Sequence, residues 1–349
     1  MDIAVLTFVY ADNYGALLQA FALKEYLQSK GHHVVFLDYA PDKEKLFYST
    51  SYRNLHSAKA IIKKAVSNFE RRDSIKVFEE FRNRYFELIG YKDGVANSEL
   101  LIVGSDQVWN EKIVENLKPY LFYGYPSSIK KISYAASIGK TDISDETRRL
   151  LEDGLKSFSG ISVREKSSED LIRTLGYSCT TVVDPVFLLN ENEWLEFASC
   201  PKIKDTKKRY VLVYLLRKDV DIISRANQYA QEKKLELYYI HPMGKRVDEL
   251  AGKRIKNAGP EEFVWLIRNA EVVFTNSFHA VAFCSIFGKE FYHVNRDDLG
   301  NRVTSLLSIL EIKDKTIGIE ARLGDKFNAM FDLSKQYLDA YINGEEMIR

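Results

Sequence analysis

The chain has 349 residues, 46% of them hydrophobic, enough for two packed domains, and 50 basic residues against 49 acidic ones leave no overall basic field to hold nucleic acid. The three cysteines, Cys179, Cys200 and Cys284, form no CxxC pair and offer no disulfide framework or metal site. Met1–Leu6 lacks the basic and apolar regions of a signal peptide and no apolar run reaches the length of a membrane span, so the expectation is a reduced, cytoplasmic protein.

Ile3–Val9 is an apolar run of strand length. Asp12-Asn13-Tyr14-Gly15 follows as a turn cluster, and Ala16, Leu17, Ala20, Phe21, Leu23 and Leu27 then recur at helical spacing up to Lys30-Gly31. With the strand Val34–Tyr39 this makes a β-α-β unit. Only Gly15 stands in its first turn, so a dinucleotide fingerprint cannot be drawn. Asn13 and Gly15 offer a tight turn with free N–H groups at a helix start; the plainer reading is an ordinary cap.

Lys43–Tyr91 is different in character: charge is dense, Phe78, Phe81, Tyr85 and Phe86 follow helical spacing, and two or so helices are expected. Lys59–Lys64 through Arg72 is the most basic part of the chain. The plain reading is a solvated helix face; the sharper one is a contact with an anionic membrane surface, which would place the protein at the inner face of the membrane.

Leu100–Val103 is a buried strand that stops at Gly104-Ser105-Asp106-Gln107-Val108-Trp109-Asn110. Asp106, Gln107 and Asn110 are suited to hold hydroxyls and Trp109 to stack on a sugar ring, unless Ser105 or Asp106 simply caps a helix. A strand from Lys131 runs into Tyr134–Gly139, Leu150–Phe158 reads as a helix, Gly160–Glu165 as a short strand ending in Arg164-Glu165, and Ser167–Leu175 as a helix. Val182-Val183 is a strand before Asp184-Pro185. This alternation predicts a parallel sheet covered on both faces, with polar residues delivered to one edge.

Pro201–Lys208 is a polar linker, and a second series begins at Tyr210–Leu216. A helix Val220–Lys234, a strand Leu235–Ile240, a loop with His241-Pro242 and a helix opened by Gly259-Pro260 follow. Val272–Phe274 then breaks into Thr275-Asn276-Ser277, and after His279 the run Ala280–Ile286 continues as a buried helix. Asn276, Ser277 and His279 thus stand between a strand's carboxyl end and a helix's amino end, where open α/β sheets bind ligands and the dipole favours an anion. His279 can move a proton near neutral pH, although a buried, hydrogen-bonded imidazole is the plainer reading. Cys284, inside this helix, reads as core. A strand Phe291–Val294, an apolar helix from Asn301-Arg302 and a helical tail close the chain.

The fold class expected is α/β, two Rossmann-like domains in series. Residues 1–200 form the first, with a helical insertion at about 43–91; residues 209–325 form the second and carry His279; residues 326–349 are the tail. The default site is the cleft between the domains.

Seven motifs in order resemble the polysaccharide pyruvyl transferase family: Asn13–Ala20, Val103–Asn110, Tyr134–Gly139, Ser162–Glu165, Asp184-Pro185, Thr275–His279 and the Arg302 helix. The resemblance implies an architecture similar to glycosyltransferase-B. It also implies transfer of pyruvate from phosphoenolpyruvate as a ketal across two hydroxyls of a glycan sugar, in bacterial-type exopolysaccharide, capsule or cell-wall polysaccharide biosynthesis. Phosphoenolpyruvate is then a co-substrate with no further cofactor or metal, and the partner is a glycan or lipid-linked sugar. His279 takes the catalytic position. Arg164 and Arg302, supported by Arg217, Asn276 and Ser277, are suited to the donor's phosphate and carboxylate. Asn13, Gly15, Ser105, Asp106, Gln107 and Trp109 fall to the acceptor. Some members carry Arg where this chain has Ser277. His241 is the second candidate for proton transfer. The competing readings are a nucleotide-sugar-dependent glycosyltransferase on the same architecture and a non-catalytic glycan-binding relative.

Overall fold

The computed structural model describes residues 1–48, 50, 57–125, 128–140, 142–202, 208–242, 244, 246–293, 302–311, 319–320 and 323–343. In the N-terminal half, β1 (Asp2–Leu6), β2 (His33–Asp38), β3 (Leu88–Gly90), β4 (Leu100–Val103) and β5 (Lys130–Ser133) form a parallel sheet in the order β3-β2-β1-β4-β5. The short pair β6 (Ser162–Val163) and β7 (Thr180–Thr181) continues it through single bridges from Ile132 to Gly160 and from Ala136 to Val163. In the C-terminal half, β8 (Tyr210–Tyr214), β9 (Glu236–Ile240), β10 (Lys253–Arg254), β11 (Val272–Thr275), β12 (Glu290–His293) and β13 (Ile319–Glu320) run in the order β10-β9-β8-β11-β12-β13, with only the β12–β13 pair antiparallel. Both sheets reverse direction of growth beside their first strand, the doubly wound order that opens a crevice at the strands' carboxyl ends. The fold class is the expected one.

The helices are α1 (Tyr14–Ser29), α2 (Asp42–Tyr48), α3 (Ala58–Tyr85), α4 (Tyr91–Asn97), α5 (Asp145–Gly154), α6 (Lys166–Thr174), α7 (Glu191–Phe197), α8 (Val220–Lys233), α9 (Pro260–Asn269), α10 (Phe278–Ile286), α11 (Arg302–Ile309) and α12 (Asp325–Ile342). The region 43–91 is not purely helical. After the 28-residue α3, Leu88–Gly90 pairs with Phe36–Asp38 as the edge strand β3. Three residues are too short to show alternation, so periodicity could not find them.

Helices α1 and α10 explain how the halves meet. Thirteen of sixteen residues of α1 and eight of nine of α10 are buried, apolar on nearly every side. Each packs on its own sheet and on the other half, so one hydrophobic core runs from Ile3 and Leu17 through Trp194 to Val264 and Phe283. Tyr14 stacks on Phe263 at 4.4 Å and donates its hydroxyl to the Ala258 carbonyl at 2.7 Å. The tail is not free either. α12 returns to the first sheet, where Tyr337 donates to the Ser133 carbonyl and Tyr341 to that of Ser159, each at 3.0 Å.

Candidate active site

The two inward helices start at the same place. Asn13 caps α1, its Oδ1 accepting from the N–H groups of Gly15 at 2.9 Å and Ala16 at 3.4 Å. Ser277 caps α10 by accepting from Ala280 at 3.4 Å. The starts approach so closely that a Cβ built on Gly15 would lie 2.0 Å from Nδ1 of His279. Gly15 is therefore required by the imidazole's position, which a sequence reading as a tight turn does not reveal.

The other side of the His279 ring faces a carboxylate. Its Nε2 lies 3.6 Å from Oδ2 of Asp184, beyond hydrogen-bond range but well within an ion-pair distance. The same oxygen accepts from Arg164 Nη1 at 2.6 Å and from the Ser105 hydroxyl at 3.2 Å, while Asp184 Oδ1 accepts from the Val186 N–H at 3.1 Å. Burial alone would raise the Asp184 carboxyl, but the positive charges of His279 and Arg164 outweigh it and hold the group well below the ordinary carboxylate range. Burial likewise opposes the Arg164 cation, and Asp184, Glu165 and Asp106 outweigh that penalty. Arg164 Nε reaches Glu165 at 3.3 Å, Nη2 lies 3.7 Å from Asp106, and the guanidinium sits 4.4 Å from the centre of the Phe278 ring. Thus consecutive residues of α10, Phe278 and His279, are gripped by Arg164 and Asp184 from the other half. A small apolar pocket, of about 10 Å³, adjoins this grip and is lined by Arg164, Asp184, Phe278, Leu306, Phe327 and Met330.

The expected open cleft is closed at this point. Ser105, Arg164, Asn276 and His279 come together at the strand ends, but all are buried, His279 at 7% exposure. The direct packing of α1 on α10 is the reason. Trp109 is corrected: it is fully buried and its Nε1–H donates to the Tyr120 carbonyl at 3.1 Å, so no ring face is open to a sugar. Ser105 is fully buried with its hydroxyl spent on Asp184 and the Ala135 carbonyl. Asn276 is a brace: its Oδ1 accepts from the Leu216 N–H at 2.9 Å and its Nδ2 donates to the Arg217 carbonyl at 2.8 Å. Both contacts fasten the β8–α8 loop, which leaves Arg217 exposed at its tip. Gln107, half-buried, accepts from Asn110 at 2.8 Å, and Asp106 accepts from the Gln107 N–H at 2.9 Å. Arg302 opens α11 one turn before Leu306, but its side chain lies outside the described residues. His241 is half-buried directly after β9. His293 packs, with Nδ1 3.1 Å from the Thr275 carbonyl. Burial pushes the Cys284 thiol up, consistent with a core residue.

Sequence reading missed two groups. Asp184 reads in sequence only as Asp-Pro after an expected strand Val182-Val183; the strand is Thr180–Thr181 instead, and the buried pair Val182-Val183 leads from it to the carboxylate. Asp12 is buried with Arg71 Nη2 at 3.2 Å and Arg82 Nη1 and Nη2 at 3.0 Å. Eleven residues is close to three helical turns, so both arginines lie on one face of α3 and pin the β1–α1 turn. The basic run of α3 is therefore not uniformly a solvated face.

Among the described residues no group of His, Cys, Asp and Glu is arranged to hold a metal ion, and no helix is long and apolar enough to cross a membrane. The fold is similar to that of the UDP-GlcNAc 2-epimerase of Neisseria meningitidis solved with UDP-GlcNAc: TM-score 0.51, 11% identity, 98% of this chain and 100% of that one covered. A putative UDP-N-acetylglucosamine 2-epimerase of Listeria monocytogenes gives TM-score 0.51 at 11% identity over 100% and 99% of the two chains. The UDP-N-acetylglucosamine 2-epimerase of Rickettsia bellii gives 0.50 at 12% over 98% and 96%. At such identities the likeness is one of fold, of the glycosyltransferase-B kind. No curated protein matches the chain. The polysaccharide pyruvyl transferase profile, by contrast, matches residues 13–298, from the Asn13 cap of α1 to beyond the last strand of the parallel series. With the motif order and the buried His279–Asp184–Arg164 group inside that span, the chain belongs to the polysaccharide pyruvyl transferase family.

Proposed function

We propose that the protein transfers pyruvate from phosphoenolpyruvate to a glycan or lipid-linked sugar, forming a ketal across two hydroxyls. The observation that carries this reading is the placement of His279, the one side chain that α10 sets against both the α1 start and the buried Asp184 carboxylate. His279 is the general acid–base: it gives a proton to the donor's methylene carbon as one sugar hydroxyl adds to the neighbouring carbon. It recovers the proton that this hydroxyl releases, passes it to the departing phosphate, and takes the proton of the second hydroxyl as that oxygen replaces phosphate on the carbon. The methylene becomes a methyl, two C–O bonds form to the sugar, and the C–O bond to phosphate breaks. Asp184 is a positioning residue that orients the ring, its Oδ2 lying 3.6 Å from Nε2. Arg164 holds Asp184 first, and only its remaining edge and the Arg302 helix are left for the donor's anions.

The imidazole is more than nine-tenths covered, so the starts of α1 and α10 part slightly to admit the substrates, as gating motions do in many enzymes. The reading keeps residues 1–200 as the acceptor side and 209–325 as the side that delivers His279. Its test is phosphate release from phosphoenolpyruvate with a panel of lipid-linked and pyrophosphate-linked sugars. Release that depends on one sugar is the expected result. No release with any of them, together with thermal stabilisation by a nucleoside diphosphate, would transfer the protein to the nucleotide-sugar-dependent reading.

A further inference from the structure

Helix α3 is amphipathic in the wrong direction. Arg71, Ser74, Phe78 and Phe81 are buried and follow one face of its second half. On a surface helix the opposite face carries polar side chains. Here Ile62, Val66 and Phe69, spaced as i, i+4 and i+7, lie on that opposite face with 64%, 54% and 73% of their surface exposed. Ile61 is also exposed, and so is Phe47 at the end of α2, whose carbonyl lies 3.5 Å from Arg71 Nη1. These five are among only twelve large apolar side chains exposed among the described residues, which makes them a patch rather than the usual scatter of single residues.

The charge along the patch is mostly positive, with the exposed Glu70 and Asp73 at its C-terminal end, where Asp73 pairs with Arg72 at 3.4 Å. From Lys45 to Phe69 the sequence contains Lys45, Arg53, Lys59, Lys63 and Lys64 and no Asp or Glu, in a chain whose formal net charge is +1. Lys59 and Lys63 are exposed beside the stripe, and Arg72 places its guanidinium 5.6 Å from the centre of the Phe69 ring. We infer that the first half of α3 docks on an anionic membrane surface, the apolar stripe entering the headgroup boundary and the flanking cations meeting lipid phosphates. A second copy of the chain is disfavoured as the occupant, because apposing two such faces brings like charges together. The inference is independent of the reaction proposed above.

The test uses the full chain and vesicles of phosphatidylcholine containing about a third phosphatidylglycerol, with pure phosphatidylcholine vesicles for comparison, in a sedimentation assay. The chain is expected to pellet with the anionic vesicles, to stay in solution with the neutral ones, and to be released at high salt. The I62S/V66S/F69S variant and the K59E/K63E variant should each lower the partition coefficient by about tenfold or more while melting as the parent does, since these side chains are exposed. Failure to pellet, equal pelleting with both vesicle types, or unchanged partition of both variants would overturn the inference. So would a lipid-free dimer that I62S/V66S/F69S converts to monomer, because the patch would then belong to a second copy.

Discussion

The carboxyl ends of the two sheets carry different chemistry. On the N-terminal side the strand ends hold compensated charge: Asp184, Glu165 and Asp106 around Arg164, and Arg71 and Arg82 around Asp12. On the C-terminal side Thr275, Asn276 and Ser277 spend their polar atoms on nearby backbone, and what crosses over is Phe278 and His279. One half fixes a field and the other delivers the group that feels it. Neither half contains the His279–Asp184 pair, so the pair exists only where the two halves pack together. There the interface is an apolar core with Gly15 at its closest point rather than an open, wet cleft.

The division can be broken first at His279. His279→Gln keeps volume and a hydrogen-bonding amide but cannot titrate, and turnover should fall by about 10²–10⁴-fold with the fold intact. Phosphate release and the melting temperature should be measured on one preparation; near-parental turnover in a folded variant would remove the residue from the mechanism. On the other half, Arg164→Ala leaves Asp184 and Glu165 buried without their cation and should cost about 3–5 kcal/mol of stability in denaturant unfolding. Lysine should rescue only part, since one ammonium cannot reach both carboxylates as the fork does. An unchanged unfolding midpoint in Arg164→Ala would show that the field is not held there.

Gly15→Ala tests the contact between the halves. The new methyl must push the imidazole or part the helices, at about 1–3 kcal/mol, and turnover should fall although no titrating group has changed. Parental activity and stability together would mean that the approach is looser than described. The charged half also predicts a pH response. Because Asp184 titrates lower folded than unfolded, its contribution is complete above the ordinary carboxylate pKa of about 3.9 and is lost progressively as pH falls below it. Asp184→Asn should flatten that part of the acid limb; an identical limb would place acid sensitivity elsewhere. The smallest effect is expected at the cap: Ser277→Ala should cost about 1 kcal/mol, with turnover changed much less than by His279→Gln.

The sequence by itself determined the alternation of strands and helices, the doubly wound class and the strand-to-helix turn that carries His279, because local apolar periodicity and turn chemistry encode them directly. The order of seven motifs also pointed to the family before any contact was known. What only tertiary structure decided was which polar residues face each other. Trp109 and Asp184 both follow apolar runs near polar residues, yet one ring is swallowed by the core and the other side chain becomes the meeting point of Arg164, Ser105 and His279. Gly15 also stands against the His279 ring, and the Asn276 amide fastens the β8–α8 loop, neither of which the local pattern shows. These assignments rest on contacts between segments up to 264 residues apart, such as Gly15 against His279, and the pattern within a single segment carries no information about its partner.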